Sequence, residues 1–400
     1  MTSWSGRRVV LGVTGGIACY KSCMLARQLV EAGARVDVVL TRAAAEFVRP
    51  VTFEALTGRP VLTSLWEPGG ALSHIRLGED ADVVIVAPAT AHLIARLAQG
   101  IADDLLTTLL LATTAPVLLA PAMNDEMFAA ATTRANLAGL AARGVATVGP
   151  EIGALAEGPS DRPGRMSEPN AIMLHAERVL ASAGSRLAGR RVVVTGGPTR
   201  EPLDPVRVMT NRSSGRMGIA LAEAAWARGA NVRLILGPGA LVPHPGIEVE
   251  RVETTADMGA AVGHVLPATD VLVMAAAPAD YRADESASVK RPRSSGMLNL
   301  ALAPTDDILV GTRSQRKPGA VIVGFALETG DALERGRAKL AAKALDLIVV
   351  NDALEPGAGF EVETNRVVIL GSDGSTQPLA LASKREIADG ILDAVEARLG

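Results

Sequence analysis

The chain starts twice. Arg7-Arg8-Val9-Val10-Leu11 runs into Gly12-Val13-Thr14-Gly15-Gly16, then a helical stretch to about Ala32, then Gly33-Ala34 and Arg35-Val36-Asp37-Val38-Val39-Leu40. Arg190-Arg191-Val192-Val193-Val194 runs into Thr195-Gly196-Gly197, then a helical stretch ending Ala227-Arg228-Gly229-Ala230, then Asn231-Val232-Arg233-Leu234-Ile235-Leu236. Short, wholly apolar strands alternating with helices belong to a parallel sheet covered on both faces. Two such starts predict an α/β chain of two doubly wound, mostly parallel-sheet domains. At 400 residues the chain also exceeds the usual domain of about 100–200 residues. The small-residue stretch Ala181-Ser182-Ala183-Gly184-Ser185-Arg186 sets the seam, giving domains over 1–184 and 185–400.

Composition limits the partners. With 48% apolar and 21% charged residues the chain is globular rather than disordered or collagen-like. Aromatics are 2% and the net charge is −3, so neither base stacking nor a phosphate backbone finds a surface, and no nucleic-acid partner is expected. An anionic partner must be small and held locally. Cys19 and Cys23 fall four apart in one predicted helix and form no disulfide framework. No basic stretch followed by an apolar run opens the sequence, so no signal peptide is expected. The most apolar window, 105–123, is broken by threonines and Pro116 into a helix end, a turn and the strand Val117-Leu118-Leu119-Ala120, which argues against a membrane span. The expectation is a cytoplasmic protein without a membrane partner.

Further strands are predicted at 83–86 and 117–120 in the first domain. In the second they fall at 271–274, 321–323 and 347–350, with a later one at 366–370 in an edge hairpin. Ligands of open α/β sheets bind at the carboxyl ends of strands, so the loops there are the candidates. Gly15-Gly16 lies between strand and helix with Thr14 placed to help cap, and free N–H groups at a helix start suit a phosphate. The glycine spacing is not the dinucleotide fingerprint, which disfavours a nicotinamide-dependent dehydrogenase. His74, as a histidine, suits a general base or a proton shuttle, although a loop histidine without a task would look the same. No second His or Cys stands at metal-ligand spacing from it.

Pro121-Ala122-Met123-Asn124 follows a buried strand. Asn124 suits a substrate carboxylate or amide, and taken alone it reads better as the N-cap of a helix over 125–131. Residues 153–166 form a Gly/Pro-rich flap in which Arg165 could hold an anion. Asn211-Arg212-Ser213-Ser214-Gly215-Arg216-Met217-Gly218, before an apolar helix, makes a second anion cradle. Asp280 closes a strand and suits Mg²⁺ or a ribose. Lys290, Arg291 and Arg293 form a basic patch. Lys339 and Lys343, one helical turn apart, are either a solvated face or a pair of cations for a triphosphate.

Together these motifs resemble the bifunctional phosphopantothenoylcysteine decarboxylase/phosphopantothenate–cysteine ligase family of coenzyme A biosynthesis. The resemblance covers essentially the whole chain, in the family's order. It runs through Gly15-Gly16-Ile17-Ala18 to Lys21, His74, Ala87-Pro88-Ala89-Thr90, Gly100-Ile101-Ala102-Asp103-Asp104-Leu105-Leu106 and Pro121-Ala122-Met123-Asn124. It resumes at Gly197-Pro198-Thr199-Arg200-Glu201-Pro202-Leu203-Asp204-Pro205-Val206-Arg207, Asn211 to Gly218, Ala279-Asp280-Tyr281-Arg282, Gly324-Phe325-Ala326 and Asn351-Asp352.

The resemblance implies a flavodoxin/Rossmann-like flavin domain followed by a Rossmann-like ligase domain. It implies FMN in the first, with its phosphate near Gly15, Gly16 and Thr41 and its ring near Ala87, Pro88, Ala89 and Thr90. An alkyl carboxylate cannot lose CO₂ without an electron sink, and oxidising the substrate thiol to a thioaldehyde creates one; the resulting enethiol is reduced afterwards. By resemblance His74 is the base at the oxidation step, Asn124 binds the substrate carboxylate, and Met123 and Arg165 contact the substrate. The family's flap carries a cysteine that donates a proton to the enethiol, and this chain has Glu157 in that place. A carboxylic acid can take over that role if burial raises its pKa. The alternative is an active ligase fused to a flavin-binding oligomerisation module with incomplete turnover.

In the second domain the resemblance implies activation of 4′-phosphopantothenate by CTP as an acyl-cytidylate, from which the amine of cysteine displaces CMP. Charge builds on phosphates, which calls for Mg²⁺, with Asp280 as its expected ligand, and for placed cations. Asn211 would handle the acyl-cytidylate, and Ala276, Asp280 and Phe325 the nucleotide. Lys290, Lys339 and Lys343 would contact the phosphates. Asp307 and Ile308 fall in Pro304-Thr305-Asp306-Asp307-Ile308, where the family has Asn-Pro-Asp-Ile at the nucleotide. By the same resemblance the protein is a homo-oligomer, with a trimeric flavin domain holding FMN between subunits and a dimeric ligase domain.

Overall fold

Val9, Leu11 and Val13 bury one face of the first strand while Val10 and Gly12 bury the other, so this strand must be covered on both sides. The computed structural model describes residues 4–66, 72–181, 184–290, 299–328, 331–352 and 362–400, and the chain divides into two units, Met1–Ala183 and Gly184–Gly400.

The first unit runs β1 (Arg8–Val13), α1 (Cys19–Glu31), β2 (Arg35–Leu40), α2 (Pro50–Thr57), α3 (Ser73–Asp80), β3 (Val83–Ala89), α4 (Ala91–Gln99), α5 (Leu105–Ala112), β4 (Val117–Pro121), α6 (Asp125–Ala129), α7 (Ala131–Ala142), β5 (Ala146–Thr147), β6 (Glu151–Ile152), β7 (Pro163–Arg165) and α8 (Pro169–Ala181). Five strands form one parallel sheet in the order β2-β1-β3-β4-β5. That is the flavodoxin-like order, whose ligand crevice opens between β1 and β3. Leu25, Phe53 and Ile172 pack on one face, and Leu93, Leu106 and Leu109 on the other. The apolar window is α5, a turn and β4, as its threonines and Pro116 implied. The helix expected over 125–131 instead ends at Ala129, because Ala130 turns extended (ψ 133°) and a new helix starts behind it.

The second unit runs β8 (Arg191–Gly196), β9 (Arg200–Pro202), β10 (Val208–Thr210), α9 (Arg216–Ala227), β11 (Asn231–Leu236), β12 (Glu248–Arg251), α10 (Thr255–Val265), β13 (Val271–Met274), β14 (Tyr281–Ala283), β15 (Leu302–Pro304), α11 (Ile308–Gly311), β16 (Val321–Glu328), α12 (Ala332–Ala342), β17 (Leu347–Asp352), β18 (Thr364–Gly371), β19 (Thr376–Ser383) and α13 (Lys384–Glu396). Its sheet runs β12-β11-β8-β13-β16-β17-β18-β19, parallel through β17. The first six strands keep the Rossmann order, and the expected late strand is β18, paired antiparallel with β17 and with β19 at the edge. Met258, Leu309 and Leu340 cover one face with Leu272 and Ile322, and α9 and α13 pack together.

Both units close their sheets by the same device. The Arg8 amide donates to Asp82 Oδ2 (2.8 Å) and the Asp82 amide to the Arg8 carbonyl (2.8 Å). In the second unit the Arg191 amide donates to Asp270 Oδ2 (2.8 Å) and the Asp270 amide to the Arg191 carbonyl (2.9 Å). Asp346 repeats it with Ile322, at 2.7 and 3.0 Å. Burial alone would raise the Asp82 and Asp270 carboxyls. The Arg8 amide and Arg7 guanidinium on Asp82, and the Lys317 ammonium and Arg191 amide on Asp270, outweigh it and hold both below the ordinary carboxylate range. A carboxyl depressed in the folded state contributes stability that is complete above its unfolded pKa, about 3.9, and is lost as pH falls through the folded value. We therefore expect the melting temperature to drop below about pH 4. Asp82→Asn is expected to melt lower at neutral pH and to show a shallower acid limb; an acid limb as steep as that of the unmodified protein would show that the clasp does not set it.

Candidate functional site

In the first unit a cavity of about 1030 Å³ opens where β1 and β3 diverge, lined by 14–18, 41–43, 90–93, 122–124, 154–157 and 164–166 among others. Thr14 is buried, and its Oγ1 donates to the Pro88 carbonyl (2.7 Å) while accepting the Thr90 amide (3.1 Å). It therefore ties two strand ends together rather than capping α1, as the sequence had suggested, and α1 has no side-chain cap. Among the described residues the amides of Gly15, Gly16 and Ile17 find no protein acceptor. A Cβ added at Gly16 would meet nothing within 4 Å, whereas one at Gly15 would lie 2.7 Å from the backbone carbon of Ala43. Gly15 is thus required by close packing and Gly16 faces open space. Thr41 sits opposite, its amide bonded to the Val13 carbonyl (3.1 Å). Uncapped amides, an open glycine and a cavity at the strand crossover fit the phosphate end of a nucleotide-like cofactor.

Ala87, Pro88 and Ala89 are buried within β3, and Thr90, which caps α4, is the first residue of that segment to reach the cavity. On the far wall Asn124 is the helix cap weighed for it, and its amide NH₂ is turned to the flap. Its Oδ1 accepts the Glu126 (2.9 Å) and Met127 (3.4 Å) amides as the cap of α6, and its Nδ2 donates to Glu157 Oε1 (3.2 Å). Glu157 is exposed at the tip of the flap, between the paired backbones of Leu155 and Gly158. Ser160 donates to Asp125 (2.6 Å), and Arg162 makes a forked pair with Glu126 (2.5 and 3.2 Å), so the flap is fastened to the helix that Asn124 caps. The Met123 amide donates to the Gly164 carbonyl (3.1 Å). Arg165 pairs with Glu168, which also takes the Lys21 ammonium (2.9 Å); that bond is the main cause holding Glu168 below its ordinary value.

Sequence reasoning gave no task to Lys21, Arg96 or Asp104, which also line this cavity. Arg96 pairs with Asp103 and Asp104, the latter at 2.9 Å, so the acidic pair of the 100–106 motif has a local signal in the arginine one helix earlier. His74 lies on α3 and is not among the lining residues of its own chain's cavity; its Nδ1 is buried without a partner.

In the second unit a cavity of about 440 Å³ is lined by 211–218, 275–278, Asp280, Phe325, Leu327, Asn351, Asn365 and Lys384. Asn211, Ala276, Asp280 and Phe325 are brought together here. Asn211 Nδ2 donates to the Pro278 carbonyl (2.8 Å), pinning that side chain across the cavity. Asp280 is exposed at the rim, and no cluster of three metal-binding side chains occurs among the described residues. Gly215 opens α9 in the left-handed region (φ +77°) without a side-chain cap. Lys290 is exposed outside this lining, while Arg291 and Arg293 fall outside the described residues. Lys339 pairs with Glu328 (2.5 Å) and Lys343 with Asp307 (2.8 Å), so the predicted pair is divided between two carboxylates. Burial would raise Asp307, but the Lys343 bond and the Val310 amide that it caps hold it low. Ile308 is buried at the start of α11.

Open phosphate-ready loops at the carboxyl edges of two successive parallel sheets define a two-headed α/β protein of the nucleotide-binding class. The first unit matches the Flavoprotein family over residues 2–179, and the second the DNA/pantothenate metabolism flavoprotein C-terminal domain over 187–399. The chain is 42% identical to the coenzyme A biosynthesis bifunctional protein CoaBC of Vibrio cholerae, covering 100% of both chains. It is 45% identical to that of Bacillus subtilis, over 98% of this chain and 97% of that one, and 45% to that of Mycobacterium tuberculosis, over 97% and 96%. The chain belongs to the family of bifunctional coenzyme A biosynthesis proteins. Among its described residues no helix is long and apolar enough to cross a membrane.

Proposed function

We propose that the second unit joins cysteine to 4′-phosphopantothenate at the expense of CTP, and that the first unit decarboxylates the product to 4′-phosphopantetheine with FMN. The observation that carries this reading is the open Gly15-Gly16 loop at the β1/β3 crossover, in a chain matched end to end by family members. Relatedness across both units disfavours the alternative of a ligase on an inert flavin module.

In the first unit Gly15, Gly16 and Thr41 would hold the FMN phosphate, and Thr90 would stand nearest the ring. Bound FMN supplies the two-electron oxidation of the substrate thiol and the later return of that pair. Asn124 presents its Nδ2 to the substrate carboxylate, the donor now occupied by Glu157. Glu157 is exposed in the free protein, so the burial its role requires must come from the substrate; with the Asn124 contact yielded and the substrate covering it, Glu157 would give the proton that the enethiol takes up as it is reduced. His74 stands outside its own chain's cavity, so it would act as base at a neighbouring protomer's site in a homo-oligomer.

In the second unit the phosphopantothenate carboxylate attacks the α-phosphorus of CTP and pyrophosphate leaves. The cysteine amine then attacks the acyl carbon and CMP leaves. Asn211 steadies the acyl-cytidylate, while Ala276, Phe325 and Asp280 border the nucleotide. Mg²⁺ commonly binds one or two carboxylates plus substrate phosphates, so the exposed Asp280 suffices as its protein ligand. Such an enzyme works in the cytoplasm.

Mass analysis of product from 4′-phosphopantothenoylcysteine tests the first half of the reading. The unmodified protein should accumulate 4′-phosphopantetheine, Glu157→Gln the species two hydrogens lighter, and His74→Asn unreacted substrate. Undiminished 4′-phosphopantetheine from Glu157→Gln would remove Glu157 from the reaction.

A further inference from the structure

The return limb of the flap is bound to one short stretch of chain, where four consecutive residues each hold a different point on it. The Met123 amide donates to the Gly164 carbonyl (3.1 Å), and Asn124 Nδ2 donates to Glu157 Oε1 (3.2 Å). Asp125 Oδ2 accepts the Ser160 hydroxyl (2.6 Å). Glu126 takes both arms of the Arg162 guanidinium, Nη1 on Oε1 at 2.5 Å and Nη2 on Oε2 at 3.2 Å. Ser160 Oγ also accepts the Arg162 amide (3.1 Å), so the last two fastenings share one turn. The Ser160 hydroxyl is the main cause holding Asp125 below the ordinary carboxylate value, and the Arg162 bond is the main cause for Glu126. Both carboxylates are therefore charged at neutral pH.

The reaction does not leave all of these contacts in place. Once the substrate carboxylate takes Asn124 Nδ2, Glu157 keeps no side-chain partner among the described residues. The Leu155 and Gly158 backbones bond each other (2.8 and 3.1 Å), which shapes the tip of the flap without tying it to α6. Ser160 and Arg162, three and five residues past Glu157, are what still hold that tip to the helix. A single exposed ion pair holds little, and the exception is a forked arginine–carboxylate pair inside a network of charges. Arg162 meets that condition, with its fork on Glu126 and the charges of Asp125 and Asp161 acting on it as well.

We propose that the Ser160–Asp125 and Arg162–Glu126 pairs form an electrostatic latch that keeps Glu157 over the cavity after the substrate has taken Asn124. The four are then positioning residues of the proton-transfer step, and the proposal rests on the reading of Glu157 as proton donor. The test is a single turnover of the full-length, FMN-loaded protein, in excess over 4′-phosphopantothenoylcysteine. Mass analysis gives the ratio of the species two hydrogens lighter to 4′-phosphopantetheine. Arg162→Glu sets two carboxylates against each other and should raise that ratio roughly tenfold, within the range of couplings between contacting residues. Combining it with Glu126→Arg should bring most of the loss back, and flavin absorbance per chain should stay that of the unmodified protein throughout. The unmodified protein's ratio should also rise from about 0.1 M to about 1 M sodium chloride, as the screening length shrinks from about 10 Å to about 3 Å. In Arg162→Met it should be raised at the lower salt and no longer respond. A ratio in Arg162→Glu within about twofold of the unmodified protein, the effect of an ordinary exposed pair, would overturn the proposal, as would a charge swap no better than the single variant. If Glu157→Gln forms 4′-phosphopantetheine undiminished, the reading of Glu157 fails and hydrogen exchange of the flap amides decides on the latch. Exchange quickened in Arg162→Glu and slowed again by the swap upholds it; unchanged exchange overturns it.

Discussion

Gly15→Val is expected to yield a colourless protein that no longer decarboxylates 4′-phosphopantothenoylcysteine. The cause is packing as much as cofactor chemistry. A Cβ at position 15 would lie 2.6 Å from the Ala43 Cβ, 2.7 Å from its carbonyl carbon and 2.8 Å from its oxygen. Two of these are backbone atoms, and the segment that carries them is anchored at Thr41 to the Val13 carbonyl. Relief must come from the 14–18 loop, which moves the open amides off target. Overpacking of this kind costs about 1–3 kcal/mol in a fixed core, and the loop is the part free to give. Visible absorbance after purification reads the effect, with ligase activity on 4′-phosphopantothenate as the folding control. Gly16→Ala is the companion variant, because its Cβ would enter open space. Equal flavin content in Gly15→Val and the unmodified protein would show that the loop tolerates the displacement and that its shape does not hold the cofactor.

Gly218→Val is expected to do the converse, weakening ligation while supplied 4′-phosphopantothenoylcysteine is still decarboxylated. Here the tight contact lies between helix and strand. A Cβ on Gly218 would stand 2.7 Å from the Gly196 Cα and 2.9 Å from the Thr195 carbonyl oxygen. Neither atom can rotate away, since Thr195 and Gly196 belong to the central strand β8. The first turn of α9 would be levered outward, taking Arg216 and the amides behind Gly215 with it. A penalty of about 1–3 kcal/mol corresponds to a loss of roughly 5- to 150-fold in ligase kcat/KM. Initial rates of CMP release measure it; a loss below about twofold, well under 1 kcal/mol, would mean that the α9 terminus does not contribute to nucleotide handling.

The doubled strand–glycine–helix start was legible because parallel strands are apolar on both faces and the turns between them need small residues. That pattern is local, so it survives in one dimension. The roles of Asn124 were legible only as rivals, cap or ligand. Side-chain geometry makes the two compatible, because the cap uses only the carbonyl oxygen and the NH₂ is turned to the flap. Lys339 and Lys343 show the limit of spacing: one helical turn places them on one face, yet carboxylates from β16 and from the start of α11 claim one each. Lys384 escaped notice because its place in the lining of the second cavity, beside residues 211–218, is a tertiary fact. His74 was legible as a residue type, while its place on α3, outside the lining of the first cavity, is set by the fold.

The aspartate clasps bear on how such a chain comes into being. Asp82 meets the Arg8 amide across a separation of 74 residues, and Asp270 meets the Arg191 amide across 79. Contacts so distant must bear the loop-closure entropy before anything repays it, which places these sheets among the slow, high-contact-order topologies. During synthesis the first clasp needs nothing beyond the opening segment of the chain, so that sheet can nucleate on the ribosome while the second has yet to be translated.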